Sequence, residues 1–279
     1  MNVKYVNHFG ESIDLCSDVL MLRDTDLLNY AWDYQTKNEF NPTVSRFYKS
    51  MVEKNIKISI IGKTKDEYNK LCNKLFEITE KDIIAAVNGF LIVNNDYRLP
   101  CYIFSKKISA WHPSANKIVN EYTILSEKGE WLKDVTRVFG VSSTEKQSSE
   151  GLDYSYDFPF DFSQSSANNL LKTDAFVPFD FTIIFSGPCT TPYVQIGDNI
   201  YRVYTTLLEN EYLTIDSLNK KIYKTKNDGK RENEFNLRDR NNYIFEKIQP
   251  TDGLNYVDVP DGQITSITAH LERSEPKWT

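Results

Sequence analysis

Tyr193-Val194-Gln195-Ile196-Gly197-Asp198-Asn199-Ile200-Tyr201-Arg202-Val203-Tyr204 holds two apolar, partly β-branched runs on either side of a Gly197-Asp198-Asn199 turn. Such runs fit a pleated, half-buried surface, and the turn residues join them as a hairpin. The same grammar repeats on both sides. Phe179 to Phe185 is an apolar run that stops at Ser186-Gly187-Pro188. Tyr212 to Ile215 turns over Asp216-Ser217-Leu218-Asn219 into Lys221 to Thr225, which stops at Asn227-Asp228-Gly229. Many short strands with Gly, Asn and Asp turns predict an antiparallel sandwich or barrel. This half has no long helical pattern and no clear internal repeat.

Upstream, every even position from 154 to 162 is aromatic: Tyr154, Tyr156, Phe158, Phe160 and Phe162, with Ser155, Asp157, Pro159 and Asp161 between them. Side chains alternate faces along an extended chain, so the tract is predicted as a strand with one aromatic face. Pro159 donates no hydrogen bond, which puts that strand at a sheet edge or lead-in. Before it, Gly140 to Gly151 contains four serines and one apolar side chain, the composition of a linker.

Residues 1–139 read as a sheet carrying one helix. Thr64 followed by Glu67 fits a capping box, and Tyr68, Leu71, Cys72, Leu75 and Phe76 recur at helical spacing as one apolar stripe. The spacing predicts a helix from about Lys65 to Ile78. Ile56, Ile58 and Ile60 alternate with polar residues in a half-buried strand closed by Gly62. Phe90 to Val93 and Tyr97 to Phe104 flank Asn94-Asn95-Asp96 as a hairpin. The expected fold is therefore mainly β with one α-helix in the N-terminal domain. The expected division is a β domain over 1–139, a linker over 140–151 and an antiparallel β-sandwich over 152–279, with the last residues packing back on the first domain.

Composition excludes several classes of function. At 279 residues, two domains are the prior. Residues 1–139 hold 19 Lys and Arg against 18 Asp and Glu, a balance of +1, and the remainder hold 14 against 21, a balance of −7. Neither half carries the basic footprint of a nucleic-acid binder. The cysteines Cys16, Cys72, Cys101 and Cys189 are far apart and are expected to be buried free thiols, without a zinc site or a disulfide framework. The first residues lack the apolar run of a signal peptide, and no run approaches the ~20 residues that span a bilayer. Cytosolic synthesis without membrane insertion is expected.

No catalytic, cofactor-binding or metal-binding residues are assigned. Asp157 and Asp161, four residues apart on one strand, have α-carbons about 13 Å apart. Glycosidase carboxyls need ~5–9.5 Å, so these two read as solvated charges. His8, His112 and His270 are isolated, with no metal-ligand spacing. Ser186-Gly187-Pro188 lacks the Gly-x-Ser-x-Gly pattern of a nucleophile elbow. Asn41-Pro42-Thr43 fails as a glycosylation acceptor because of its proline. Sugar stacking on exposed rings remains open beside the plainer reading that the rings fill two β cores.

One ordered series of motifs spans the chain. Asp26-Leu27-Leu28-Asn29-Tyr30-Ala31-Trp32, the strand ending at Gly62 and the capped helix with Leu71 and Leu75 come first. Asp153 to Phe162 and Ser186-Gly187-Pro188-Cys189-Thr190-Thr191-Pro192 follow. Then come Glu211 to Ser217, Lys220 to Tyr223, Gly229, Asn233-Glu234-Phe235, Arg238, Phe245-Glu246-Lys247-Ile248, Gly253 and Glu272 to Trp278. The series resembles the distal tail protein (Dit) family of long-tailed siphophages of Gram-positive bacteria. The resemblance implies a virion structural protein of the tail tip or baseplate, not an enzyme. It implies a homohexameric ring built by the N-terminal domains, each carrying a galectin-like β-sandwich. It implies as partners the major tail tube protein, the tape measure protein, the tail-associated protein and a receptor-binding protein, in host adsorption. A carbohydrate-binding module recognising cell-wall glycans, and the same hub in a tailocin or defective prophage, stay open as alternatives.

Overall fold

The computed structural model describes residues 2–38, 40–108, 112, 114–140 and 169–277. The aromatic tract at 154–162, the two aspartates within it and residues 141–151 lie outside the described residues. The chain divides into two compact units. Unit 1 is 1–133 with 272–279, and unit 2 is 134–271.

Unit 1 begins with β1 (Val3–Val6), β2 (Ser12–Asp14), β3 (Leu20–Thr25), β4 (Asp33–Lys37), β5 (Thr43–Tyr48) and β6 (Val52–Ile61). The single helix α1 (Lys65–Ala85) follows, then β7 (Gly89–Val93), β8 (Tyr97–Ile108), β9 (Lys117–Ser126) and the start of β10 (Trp131–Phe139). Every pairing is antiparallel, in the orders β2-β1-β7-β8 and β8-β9-β6-β3. β8 belongs to both series. Its Tyr97 to Cys101 pair with β7, and beyond them Tyr102 to Ile108 pair with β9, with a register shift between Ile103 and Ser105. A bulge of this kind lets one strand turn a corner between two sheets. The predicted hairpin at 90–104 and the strand at 56–60 are both present, and the alternating isoleucines Ile56, Ile58 and Ile60 are fully buried.

The helix starts as the capping signal requires. Thr64 Oγ1 accepts from the Glu67 amide at 3.2 Å, and the Glu67 carboxylate accepts from the Lys63 amide at 2.8 Å. It ends seven residues later than the sequence pattern predicts, and the reason is Asp82. The buried face continues from Leu75 through Ile78 and Thr79 to Asp82 at three- and four-residue spacing, but its last member is a carboxylate. Asp82 Oδ2 accepts from the Tyr5 hydroxyl at 2.5 Å, and Asp82 Oδ1 accepts from the His8 amide at 3.0 Å, with His8 Nδ1 at 2.5 Å. A Cβ at Gly89 would fall on Asp82 Oδ2 and Tyr5 Oη, so this approach requires glycine. Phe76, predicted on the buried stripe, is 57% exposed, and Leu71 and Cys72 are only half-buried. The stripe that packs shares Tyr68 and Leu75 with the predicted one and is centred roughly 30° further round the helix.

Unit 2 continues β10 and adds β11 (Leu170–Lys172), β12 (Asp180–Ser186), β13 (Cys189–Thr190), β14 (Tyr193–Ile196), β15 (Asn199–Arg202) and β16 (Thr206–Leu207). Then come β17 (Tyr212–Asp216), β18 (Lys221–Thr225), β19 (Arg231–Asn233), a 3-10 turn (Phe235–Leu237), β20 (Leu254–Asp258) and β21 (Ile264–Arg273). One sheet of this unit runs β19-β18-β17-β12-β21-β10, and a second runs β11-β20-β14-β15. Phe181, Ile183, Phe185, Leu213, Ile215 and Ile267 from the first sheet share one core with Leu171, Val194, Tyr201 and Val257 from the second. Phe181 meets Tyr201 edge-on with centroids 4.8 Å apart. Among the described residues the protein is mainly β with one α-helix, and its second half carries antiparallel sheets at the strands that the turn signals mark.

The cysteines are free, but the burial expected of them holds only for Cys101. Cys16 is exposed, and Cys72 and Cys189 are intermediate. Cys16 lies just past the short edge strand β2, in an isolated bridge with Met21.

Two measurements test this packing. Leu75→Ala empties a buried site and should cost about 2–5 kcal/mol in urea unfolding, whereas Phe76→Ala should stay within about 0.5 kcal/mol. Equal effects would mean that the helix is rotated. The second test is alkaline. Burial first, and the hydrogen bond to Asp82 second, push the Tyr5 phenol far above its ordinary range. Burial likewise raises Tyr68 and Tyr122, and lifts the Cys101 thiol to about 12. A raised folded-state pKa gives stability that is complete below the unfolded value of ~10 and is lost as pH climbs past it, because the unfolded phenol releases its proton first. Tyr5→Phe should therefore flatten the fall in unit 1 stability above pH ~10 by up to ~1.4 kcal/mol per pH unit. An unchanged slope in denaturant titrations would remove Tyr5 from that balance.

Candidate functional site

The residues that stand out are exposed and apolar. In β4 and β5 every residue is exposed. The register places Tyr34 against Phe47 and Thr36 against Val44 on one side of the ribbon. Asp33–Tyr48, Gln35–Arg46 and Lys37–Thr43 are on the other. One face is thus apolar, with the Tyr34 and Phe47 rings edge-on at 6.5 Å. The other is polar, with the Arg46 guanidinium 5.5 Å over Tyr48. Tyr34, Phe47 and Phe40 at the tip are 61%, 60% and 102% exposed, and Tyr30 and Trp32 on the lead-in are 55% and 48% exposed. At ~150–250 Å² per ring, these five leave roughly 650 Å² of aromatic surface in water. The largest apolar patch on a typical monomer is ~300–600 Å².

A two-stranded hairpin is marginal by itself, and this one is held at its base. Lys54 is 4% exposed, and its ammonium donates to the backbone carbonyls of Asn29 and Asp26. Asp26 Oδ1 accepts from the Asn55 amide at 2.6 Å, and Leu27 beside it is fully buried. The Lys49 ammonium lies 4.9 Å over the Trp32 ring and 3.6 Å from Glu130, and the Ser50 hydroxyl donates to Asp33. Burial lowers the pKa of both lysines, opposed by Glu130 at Lys49 and by Asp26 at Lys54. A desolvated cation at each corner fixes the stem while the ribbon stands free. The chain gives one signal for this element that period-2 reading detects: Tyr30, Trp32 and Tyr34 alternate, and Asn41-Pro42 supplies the turn. In the sequence Tyr30 and Trp32 stand only within the family motif, and no strand is expected there.

A second apolar face lies on α1. Phe76, Ile83, Ile84 and Val87 are 57%, 36%, 79% and 45% exposed. At 100° per residue Phe76, Ile83 and Ile84 form one stripe, about a third of a turn from the buried face, and Val87 follows the helix after the left-handed Ala86. Phe9, 69% exposed, stacks on His8 at 3.9 Å, and His8 is bound to Asp82 of the last helical turn.

The three histidines, isolated in sequence, differ in space. His112 is exposed, with Nδ1 2.8 Å from the Ser114 hydroxyl. His8 belongs to the Asp82 cluster. His270 Nε2 lies 2.8 Å from Thr182 Oγ1, and its Nδ1 lies 2.8 Å from Asp134 Oδ1. That is the order of a hydroxyl–imidazole–carboxylate relay. It sits, however, within a ladder across β12, β21 and β10 that continues as Thr136–Thr268 at 2.9 Å. Thr182 is paired on both sides, with Thr268 and Asp216, so the backbone around it is committed to the sheet. The relay ties three strands together. Ser186 and Gly187 belong to the end of β12 and its turn, where the Gly187 amide donates to the Glu211 carbonyl at 2.9 Å. Among the described residues, no three His, Cys, Asp or Glu side chains gather as a metal site, and no helix is long and apolar enough to cross a membrane.

No family model matches the chain, and no curated protein matches it. Solved structures do. The Dit protein of phage SPP1, described as a paradigm of the hub adsorption apparatus in Gram-positive infecting phages, aligns over 98% of this chain and 98% of its own, with a TM-score of 0.62 at 10% identity. A chain of the phage P2 baseplate in its activated conformation with Ca aligns over 99% of both chains, with a TM-score of 0.56 at 11% identity. The same baseplate with Sr gives 0.53 at 10% identity. At such identity the likeness is one of fold, and it runs end to end. The fold of this chain is that of phage Dit and baseplate hub proteins.

Proposed function

We propose that this chain is the distal tail hub of a siphophage infecting a Gram-positive bacterium, a structural component of the tail tip and not an enzyme. Six copies close into a ring through unit 1. The ring joins the major tail tube protein and the tape measure protein on one side to the tail-associated protein on the other. Unit 2 is the attachment point for a receptor-binding protein. The protein is made and assembled in the host cytoplasm and leaves it in the virion.

The observation that carries this reading is the end-to-end match to two hub structures, covering at least 98% of the chain with both units included. A likeness confined to one β unit would be compatible with many functions, since a sandwich by itself implies none. The motif series along the sequence supports the same family independently of the coordinates. The anchored, exposed hairpin of unit 1 is what a subunit that works in an assembly displays.

Electron microscopy of tails carrying a label on this chain should place it at the distal end of the tube in six copies. Three-fold or single-copy density, or a position elsewhere in the particle, would overturn the proposal.

A further inference from the structure

We infer that the apolar face of the β4–β5 hairpin is the donor half of a head-to-tail contact, and that it packs on the exposed stripe of α1 in a second copy of this chain. This rests on the ring reading above and gives that ring its contact. Four observations lead to it.

The two faces lie in the same unit and are different in kind. One is a flat ribbon bearing Tyr34, Val44 and Phe47. The other is a single helical ridge bearing Phe76, Ile83 and Ile84. A contact between unlike faces is heterologous and repeats round a ring, whereas a two-fold contact would use one face twice. The dimensions agree. Asp33 to Lys37 spans ~13 Å as a strand, and Phe76 to Ile84 spans ~12 Å along a helix. The rings on and beside the hairpin expose roughly 650 Å², against ~800 Å² per partner in a standard stable interface, which puts the contact in the weaker class.

The fourth observation is the stem. The stem clamp at Lys49 and Lys54 then has a purpose. A ribbon held in one orientation loses less entropy on docking than a free one.

The test uses two full-length variants and their mixture. Phe47→Arg disables the ribbon, and Ile84→Arg disables the helix stripe. Both positions are exposed, so circular dichroism and melting temperature should match the wild type. If either variant unfolds, Val44→Glu or Phe76→Glu replaces it. Native mass spectrometry at roughly 100 µM, above the µM-range Kd expected of the weaker interfaces of this size, should show oligomers for the wild type and monomers for each variant alone. Mixed together, the variants should form a one-to-one heterodimer and nothing larger, because each supplies the face that the other lacks. Self-association of the Ile84→Arg variant would mean that ribbons meet ribbons or another surface, and would overturn the inference. So would a mixture that stays monomeric, or a wild type that is monomeric under these conditions. Six copies in labelled tails together with any of those results would leave the hub standing and remove this contact from it.

Discussion

Asp82 has no access to solvent, and its carboxylate is held by donors from one short strand and the turn that follows it: the Tyr5 hydroxyl, the His8 amide and the His8 ring. Removing a carboxylate from water costs several kcal/mol unless such partners replace its hydration. Once they do, much else in unit 1 is determined. The end of α1 is tied to β1 rather than frayed. The chain leaves the helix through Ala86 in a left-handed conformation, with its amide bonded back to the carbonyls of Asp82 and Ile83. Gly89 must be glycine, and β7 enters the sheet beside β1 in one register.

With the core secured in that way, the outer surface of unit 1 is free to be apolar. The contrast between stem and ribbon in the hairpin is a division of labour between desolvated charge and wet hydrocarbon. Lys49 and Lys54 are kept from water, where an ammonium is held only by well-placed acceptors, a ring face or a carboxylate. The aromatic residues a few positions away are left in water, where a soluble monomer gains nothing from them. The arrangement fits the proposed ring. Unit 2 differs. Its polar ladder of Thr182, His270, Asp134, Thr136 and Thr268 saturates a sheet face with internal hydrogen bonds.

Much of this was legible in the sequence where periodicity and turn chemistry agree. Ile56, Ile58 and Ile60, the hairpin around Asn94-Asn95-Asp96 and the strands flanking Gly197 all follow from local pattern, because each has one buried face and a turn residue suited to its bend. The helix start was legible from Thr64 and Glu67. Its end was not, because Asp82 occupies a core position and a carboxylate reads as solvent-facing until its partners, 77 and 74 residues away, are known. The candidate surface was hidden for the opposite reason. Phe76 reads as part of the buried stripe, Tyr34, Phe40, Phe47 and Ile84 fall in no assigned pattern, and only a three-dimensional arrangement distinguishes a ring that fills a core from one that faces water. The relay at His270 joins residues 136 apart and leaves no trace in spacing.

The corner in β8 affects how unit 1 comes apart. Because that one strand supplies hydrogen bonds to β7 through its first half and to β9 through its second, neither sheet can open while the other keeps an intact edge. Local opening is cheapest where a cooperative block has a boundary, and here the natural boundary is spanned by continuous backbone. Amide hydrogens of β7, β8 and β9 should thus share one large protection factor and exchange together, whereas β4 and β5, bonded only to each other, form the part that breathes.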